Sequence, residues 1–200
     1  MTKIEIIELV QHRAAGGDMT ADLLGKFHEN VVEKALTGII NQVLFDLFRT
    51  NNSALDYFAK GYSVNVSHDT AGDLYYITLP KNVVQLPNNS GVRMVTPRKG
   101  QDYSIPIVPA QAQDTIEGLE VGIIDNKAYG FIEQNKVYFR NFDKSMTSLY
   151  VKIIIPFEEY ADTDEVMIPG ERLPQILEYC HGFLLNVPPE DVRNDNNTKQ

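Results

Sequence analysis

Four histidines, a single cysteine and a dense run of carboxylates are the side chains in this sequence whose types could do chemistry. His12, His28 and His68 stand far apart, none at a two-ligand helical spacing to another His or Cys, and only His181 has such a neighbour, the adjacent Cys180. Adjacent residues on a helix diverge by about 100 degrees, so Cys180 and His181 make a poor chelate. Gly16-Gly17 lacks the lysine and the strand-to-helix setting of a phosphate loop. Neither a G-x-S-x-G elbow nor an H-E-x-x-H zinc motif occurs, and Ser, His and Asp show no catalytic arrangement. The carboxylates concentrate at Glu158, Glu159, Asp162, Asp164 and Glu165, in what reads as a solvated loop rather than an acid/base pair. The expectation is a protein with no catalytic residues, no cofactor and no metal, an unrecognised enzyme site being the competing reading. Arg93, Arg98 and Lys99 form the one basic cluster of note, read either as a solvated loop or as a small contact for an acidic neighbour.

The acidic run leads through Val166-Met167-Ile168-Pro169-Gly170 into the stretch that organises the C-terminal part. Pro169 and Pro174 bracket a helix start near Gly170 to Leu173, because proline is tolerated in a first turn and breaks an interior. Leu173, Ile176, Leu177, Cys180, Phe183 and Leu184 then recur at spacings of three and four, lining one face of a helix. Acids ahead of such a helix suit its N-terminus, each worth roughly 0.3–1 kcal/mol when exposed; an acidic binding site is the alternative.

At the other end, Thr2 and Glu5 fit a capping box, and Ile4, Ile7, Leu9 and Val10 suggest a short helix to about Arg13. A break over Ala14 to Asp18 follows, with at most a short turn over Thr20 to Phe27. From Glu29 to Arg49, Val32, Ala35, Leu36, Ile39, Ile40, Val43, Leu44, Leu47 and Phe48 form a broad apolar stripe. A helix of that length spans roughly 30 Å and needs a packing partner, which Leu173 to Leu185 can supply. Gly38 inside it reads as a close-packing position, since glycine there otherwise costs about 1 kcal/mol relative to alanine.

Beyond Asn51-Asn52 the period shifts towards two. Tyr62 to Val66 and Asp73 to Leu79 read as a paired hairpin, Ala128 to Ile132 and Lys136 to Arg140 as a second one around a tight turn in which Asn135 tolerates positive φ. Val83 to Leu86, Gly91 to Thr96 and Tyr103 to Val108 are shorter candidates, confined by their prolines to edges or loops, and Ser148 to Pro156 is apolar enough to lie centrally. The predicted class is α+β: N- and C-terminal helices packed together, with an inserted, mainly antiparallel β domain of about six to eight strands. The division is 1–60 with 166–187 as the helical part, 61–165 as the β domain and 188–200 as a flexible tail. That tail, with Pro188-Pro189 and Asn194 and Asn196 among mostly polar residues, is expected to order only on a partner.

With 200 residues and 43% apolar content, one domain with a sizeable core is expected. A formal charge of −9 argues against broad binding to nucleic-acid backbone, which needs clustered Lys and Arg, and is compatible with lining a passage that DNA slides through without sticking. A lone cysteine fits a reducing cytoplasm, and no run approaches the ~20 apolar residues of a membrane span. Glutamates within the first ten residues are unlike the apolar core of a signal peptide.

The long N-terminal helix, a strand-rich middle carrying Tyr75-Tyr76-Ile77-Thr78-Leu79-Pro80 and Gly91-Val92-Arg93-Met94-Val95-Thr96-Pro97, and Asp164-Glu165-Val166-Met167-Ile168-Pro169 before a final helix resemble a phage family. They look like the head–tail connector proteins, the adaptor or ring proteins beneath the portal of short-tailed phages, most closely those of crAss-like phages. The resemblance runs from Lys3 to Leu185 and lies in the order of elements more than in any strict motif. It implies a structural virion protein at the head–tail junction, made in the host cytoplasm, in a homo-oligomeric ring of about twelve copies. Portal and tail proteins would be its neighbours, and DNA would pass through without specific binding. The family brings no catalytic residues to carry over. A transient phage assembly factor or protein-binding module is the reading from another class.

Overall fold

The computed structural model describes residues 1–16, 27–100, 103–109 and 127–186. Helix α1 spans Lys3–Ala14 and begins at the predicted capping box, in which Thr2 Oγ1 accepts from the Glu5 amide and the Glu5 carboxylate accepts from the Thr2 amide. Those hydrogen bonds hold the Glu5 carboxyl below the usual carboxylate range. Helix α2 spans Glu29–Thr50 and buries all of the predicted stripe except Phe48, which is half-buried. Helix α3, Leu173–Asn186, packs on both α2 and α1. The expected pairing of the long helix with the last one is therefore present.

Between them lies a seven-stranded sheet in the order β3-β7-β1-β2-β6-β5-β4. The strands are β1 Lys60–Asp69, β2 Leu74–Thr78, β3 Val92–Thr96, β4 Ile107–Val108, β5 Tyr129–Glu133, β6 Lys136–Arg140 and β7 Ser148–Ile153. Pairing is antiparallel throughout except β4 with β5. The fold is thus α+β with an inserted β module, and β7, flanked by β3 and β1, is interior as its apolar sequence requires.

The two ends of the sheet are joined by one short segment. Ile105, itself buried, donates its amide to Val95 O on β3, while Pro106 O accepts from the Gly130 amide on β5. A sheet edge left open offers unpaired backbone groups to other chains, and this segment covers parts of both edges at once. Tyr103 to Val108 is consequently a clasp with two residues of strand, not a full strand. Val83 to Leu86, also predicted as a strand, is extended but joins no ladder; its one sheet-side bond is Val84 N to Ile154 O. In the β5–β6 turn the left-handed residue is Gln134, at φ 55°, and not Asn135. Asn135 is occupied elsewhere: its Nδ2 donates to Leu79 O at 3.0 Å and its own carbonyl accepts from Leu79 N at 2.9 Å.

One continuous core runs from Ile6, Ile7 and Val10 of α1 through the α2 stripe to Ile77, Val137, Leu149, Val151 and Ile153 of the sheet. The acidic stretch meets this core from an unexpected side. Asp164 O and Asp162 O accept from the Lys3 and Ile4 amides, and Val166 N donates to Met1 O, so the segment caps α1 with its backbone. Its acids border α1, while α3 begins only after Val166 to Arg172. Beneath it the Lys3 side chain is buried, with Nζ 2.6 Å from Glu33 Oε1 and 3.0 Å from Tyr160 O. A buried ammonium needs such pairing to offset its lost hydration, so Lys3 ties α1, α2 and the acidic segment to one point. Gly38 is not a packing position: it faces solvent and a Cβ there would meet nothing within 4 Å.

Candidate functional site

The sequence-predicted basic cluster is separated by the fold. Arg93 is committed inward: its Nε lies 2.7 Å from Asp56 Oδ1, and its terminal nitrogens donate to Asn52 Oδ1 at 2.8 Å and Asn52 O at 3.0 Å. It fastens the 3-10 turn Asn52–Phe58, which follows α2, onto β3. Arg98 and Lys99 are exposed just past the end of β3, where the hydroxyl of Thr96 donates to Arg98 O at 2.9 Å. Arg98 lines an open bowl with Pro97, Tyr103, Asp143, Ser145 and Thr147. The Asp143 carboxylate faces Ser145, whose amide donates to it at 2.9 Å and keeps its carboxyl below the ordinary range. Among the described residues no carboxylate lies within ion-pair distance of Arg98, Lys99 or the neighbouring Lys144. Pro188, Pro189, Asn194 and Asn196 lie outside the described residues.

The helical face offers a second surface, which the sequence reading placed wrongly. Periodicity assigned Phe183 to the buried stripe of α3, yet it is 54% exposed, and Tyr179, one turn earlier, is 50% exposed. Ile176, Leu177, Cys180 and Leu184 alone complete the buried side. Tyr179 is tied back to two half-buried side chains by hydrogen bonds. Arg172 Nη1 donates to Gln175 Oε1 at 3.1 Å, and Gln175 Nε2 donates to Tyr179 Oη at 3.2 Å. An exposed side chain normally keeps its rotamer entropy, so a relay that fixes Tyr179 through half-buried Gln175 and Arg172 lowers the entropic cost of binding through it. Tyr and Arg are also the side chains that dominate interface energetics. Spacings of three and four on a helix that follows a packed segment signalled this face; what they could not say was which side had a partner within the chain.

On the outer face of the sheet, Tyr76, Tyr138 and Phe131 form a cross-strand row with ring centroids 5.5 and 5.6 Å apart, and Lys136 Nζ sits 4.4 Å over the Tyr76 ring. The half-buried rings, Phe131 stacked on Tyr138 and Tyr76 tilted against it, pack across neighbouring strands and act on the sheet itself. On α2, Thr37 Oγ1 and Asn41 Oδ1 are buried one turn apart with no hydrogen-bond partner among the described residues.

Chemistry finds little to work with. Among the described residues no group of His, Cys, Asp and Glu is placed to hold a metal ion. Burial pushes the Cys180 thiol up to about 12, which keeps it protonated and unreactive. Tyr160 is raised to about 12 for the same reason. No described helix is long and apolar enough to cross a membrane. No protein-family model and no curated protein matches the chain.

Proposed function

We propose that this chain is a structural subunit of a homo-oligomeric ring at a phage head–tail junction, set between portal and tail proteins. The observation that carries this reading is the exposed pair Tyr179 and Phe183 on one side of α3, with Tyr179 tied back through Gln175 to Arg172, both half-buried. An ordered aromatic surface has an energetic use when another protein covers it. The rest of the subunit suits a building block. Its sheet edges are clasped, its acidic segment is pinned to α1, and its core is continuous from helices to sheet, so load can pass from one side to the other. A formal charge of −9 suits a wall past which DNA moves without being held by its phosphates.

The test is substitution of the stripe in the assembled particle and in purified protein. Tyr179→Ala with Phe183→Ala should leave thermal stability within roughly 0.5 kcal/mol, as for surface positions, while weakening assembly by about 2 kcal/mol or more, as for interface anchors. Stoichiometric copies of the chain in purified virions are the accompanying expectation. A chain present during assembly and lost from mature particles would instead identify a transient assembly factor.

A further inference from the structure

The structure carries two unpaired patches of opposite sign at opposite ends of β7. At its Ser148 end stand Arg98, Lys99 and Lys144, all exposed, and among the described residues none has a carboxylate partner. Beyond its Ile153 end stand Glu158, Asp162 and Glu165, also exposed and without a cation within ion-pair distance among the described residues. Neither patch is a loose excursion. The acidic segment is fixed through the bonds of Asp162 O and Asp164 O to α1, and the basic rim by Thr96 to Arg98 O. Many of the other cations do have internal roles: Lys3 pairs with Glu33, Arg93 with Asp56, Lys81 donates to Glu159 O, and Lys136 and Arg49 sit over Tyr76 and Phe45.

A closed ring of identical copies needs heterologous contacts, in which one surface of a subunit meets a different surface of the next. Two complementary patches at opposite ends of one rigid strand satisfy that requirement, whereas a two-fold dimer would set like charge against like across its axis unless the patches crossed over. We propose that Arg98, Lys99 and Lys144 of one copy receive Glu158, Asp162 and Glu165 of the next copy in a head-to-tail contact, an inference that rests on the ring reading. The occupant of the basic rim is thus a second copy of this chain, and the charges set the direction and register of the contact, with apolar surfaces supplying the bulk of the association energy.

The experiment is a charge swap on the full chain, read by sedimentation and native mass at low and physiological salt. Wild-type protein should form rings whose stability falls with salt, because salt screens exposed charges, with a Debye length of about 8 Å at 0.15 M. Arg98→Glu with Lys99→Glu should weaken association by about tenfold or more, as should Asp162→Lys with Glu165→Lys, and mixing the two variants should restore association to a strength that neither reaches alone. All four positions are exposed, and unchanged circular dichroism and melting temperature will separate lost contact from lost fold. Rings indifferent to both reversals, or reversals not rescued by mixing, would overturn this inference and leave the ring reading standing. Wild-type protein that stays monomeric at every concentration, with portal protein present as well as without it, would overturn both.

Discussion

Replacing Ile40 is the most direct probe of how α2 is held. Its side chain is 5% exposed and borders a void of only about 10 Å³ shared with Leu44, Phe58, Ile154, Phe157 and Val166, where the middle of α2 meets the exit of β7 and the segment before α3. Such a void, lined mainly by apolar side chains, offers a water few hydrogen-bond partners. Ile40→Val, which removes one methylene, should cost about 0.5–1.5 kcal/mol, and Ile40→Ala about 2–5 kcal/mol from lost transfer energy and the cavity left behind. Ile40→Asp adds the burial of a carboxylate among apolar side chains, several kcal/mol more, against a total stability of about 5–15 kcal/mol for a typical domain. The Asp variant should therefore be largely unfolded at room temperature, and the Ala variant should melt about 4–20 °C below wild type at roughly 2–4 °C per kcal/mol. The chain has no tryptophan, so far-UV circular dichroism during urea and thermal unfolding is the suitable signal. An Ile40→Asp protein that melts with the wild type would refute the packing of α2 against this junction.

Gly38→Ala should raise stability by up to about 1 kcal/mol, since the glycine sits mid-helix with open space where a Cβ would go; a loss in the isolated subunit would contradict that geometry, and the urea midpoint checks it. Cys180 should resist thiol reagents at pH 8 in the folded protein and react fully in denaturant. Its pKa is raised from the ordinary 9.0 to about 12, so the protonated thiol is the form that folding favours. The stability contributed is complete below about 9 and is progressively lost as pH rises from there towards about 12, so a pH titration of the melting temperature should show an alkaline decline that Cys180→Ala reduces. The isolated protein should not bind duplex DNA at micromolar affinity in a salt-sensitive manner, given its charge of −9; a steep salt slope in fluorescence anisotropy would contradict the proposed DNA-repelling wall.

Local chemistry made much of this fold legible. Thr2 and Glu5 announce their capping box within one turn, the α2 stripe spells out its buried face residue by residue, and the β5–β6 hairpin shows in alternation alone. What stayed hidden depends on long-range partners. Lys3 reads as an ordinary surface lysine until Glu33 and Tyr160 O close around it, and Arg93 reads as part of a basic patch until Asp56 and Asn52 claim it. Phe183 and Leu9 fit the helical period yet face outwards, because periodicity fixes an angle around an axis and not what lies opposite. Asn135 was the natural residue for a positive φ, but its amide is held by Leu79 and Gln134 takes the strained position. Of the candidate site, the exposed charges Arg98 and Lys99 were visible in the sequence; the ordered stripe ending at Tyr179 and Phe183 needed the packing of α3 to show which side was left open.

The central claim, that this subunit acts by assembling, is tested most directly by the native mass of the purified protein, measured alone and with portal protein across a concentration series. The account predicts a discrete ring of about twelve copies, formed either alone or on the portal. A monomeric mass at every concentration, unchanged when portal is added, would contradict it.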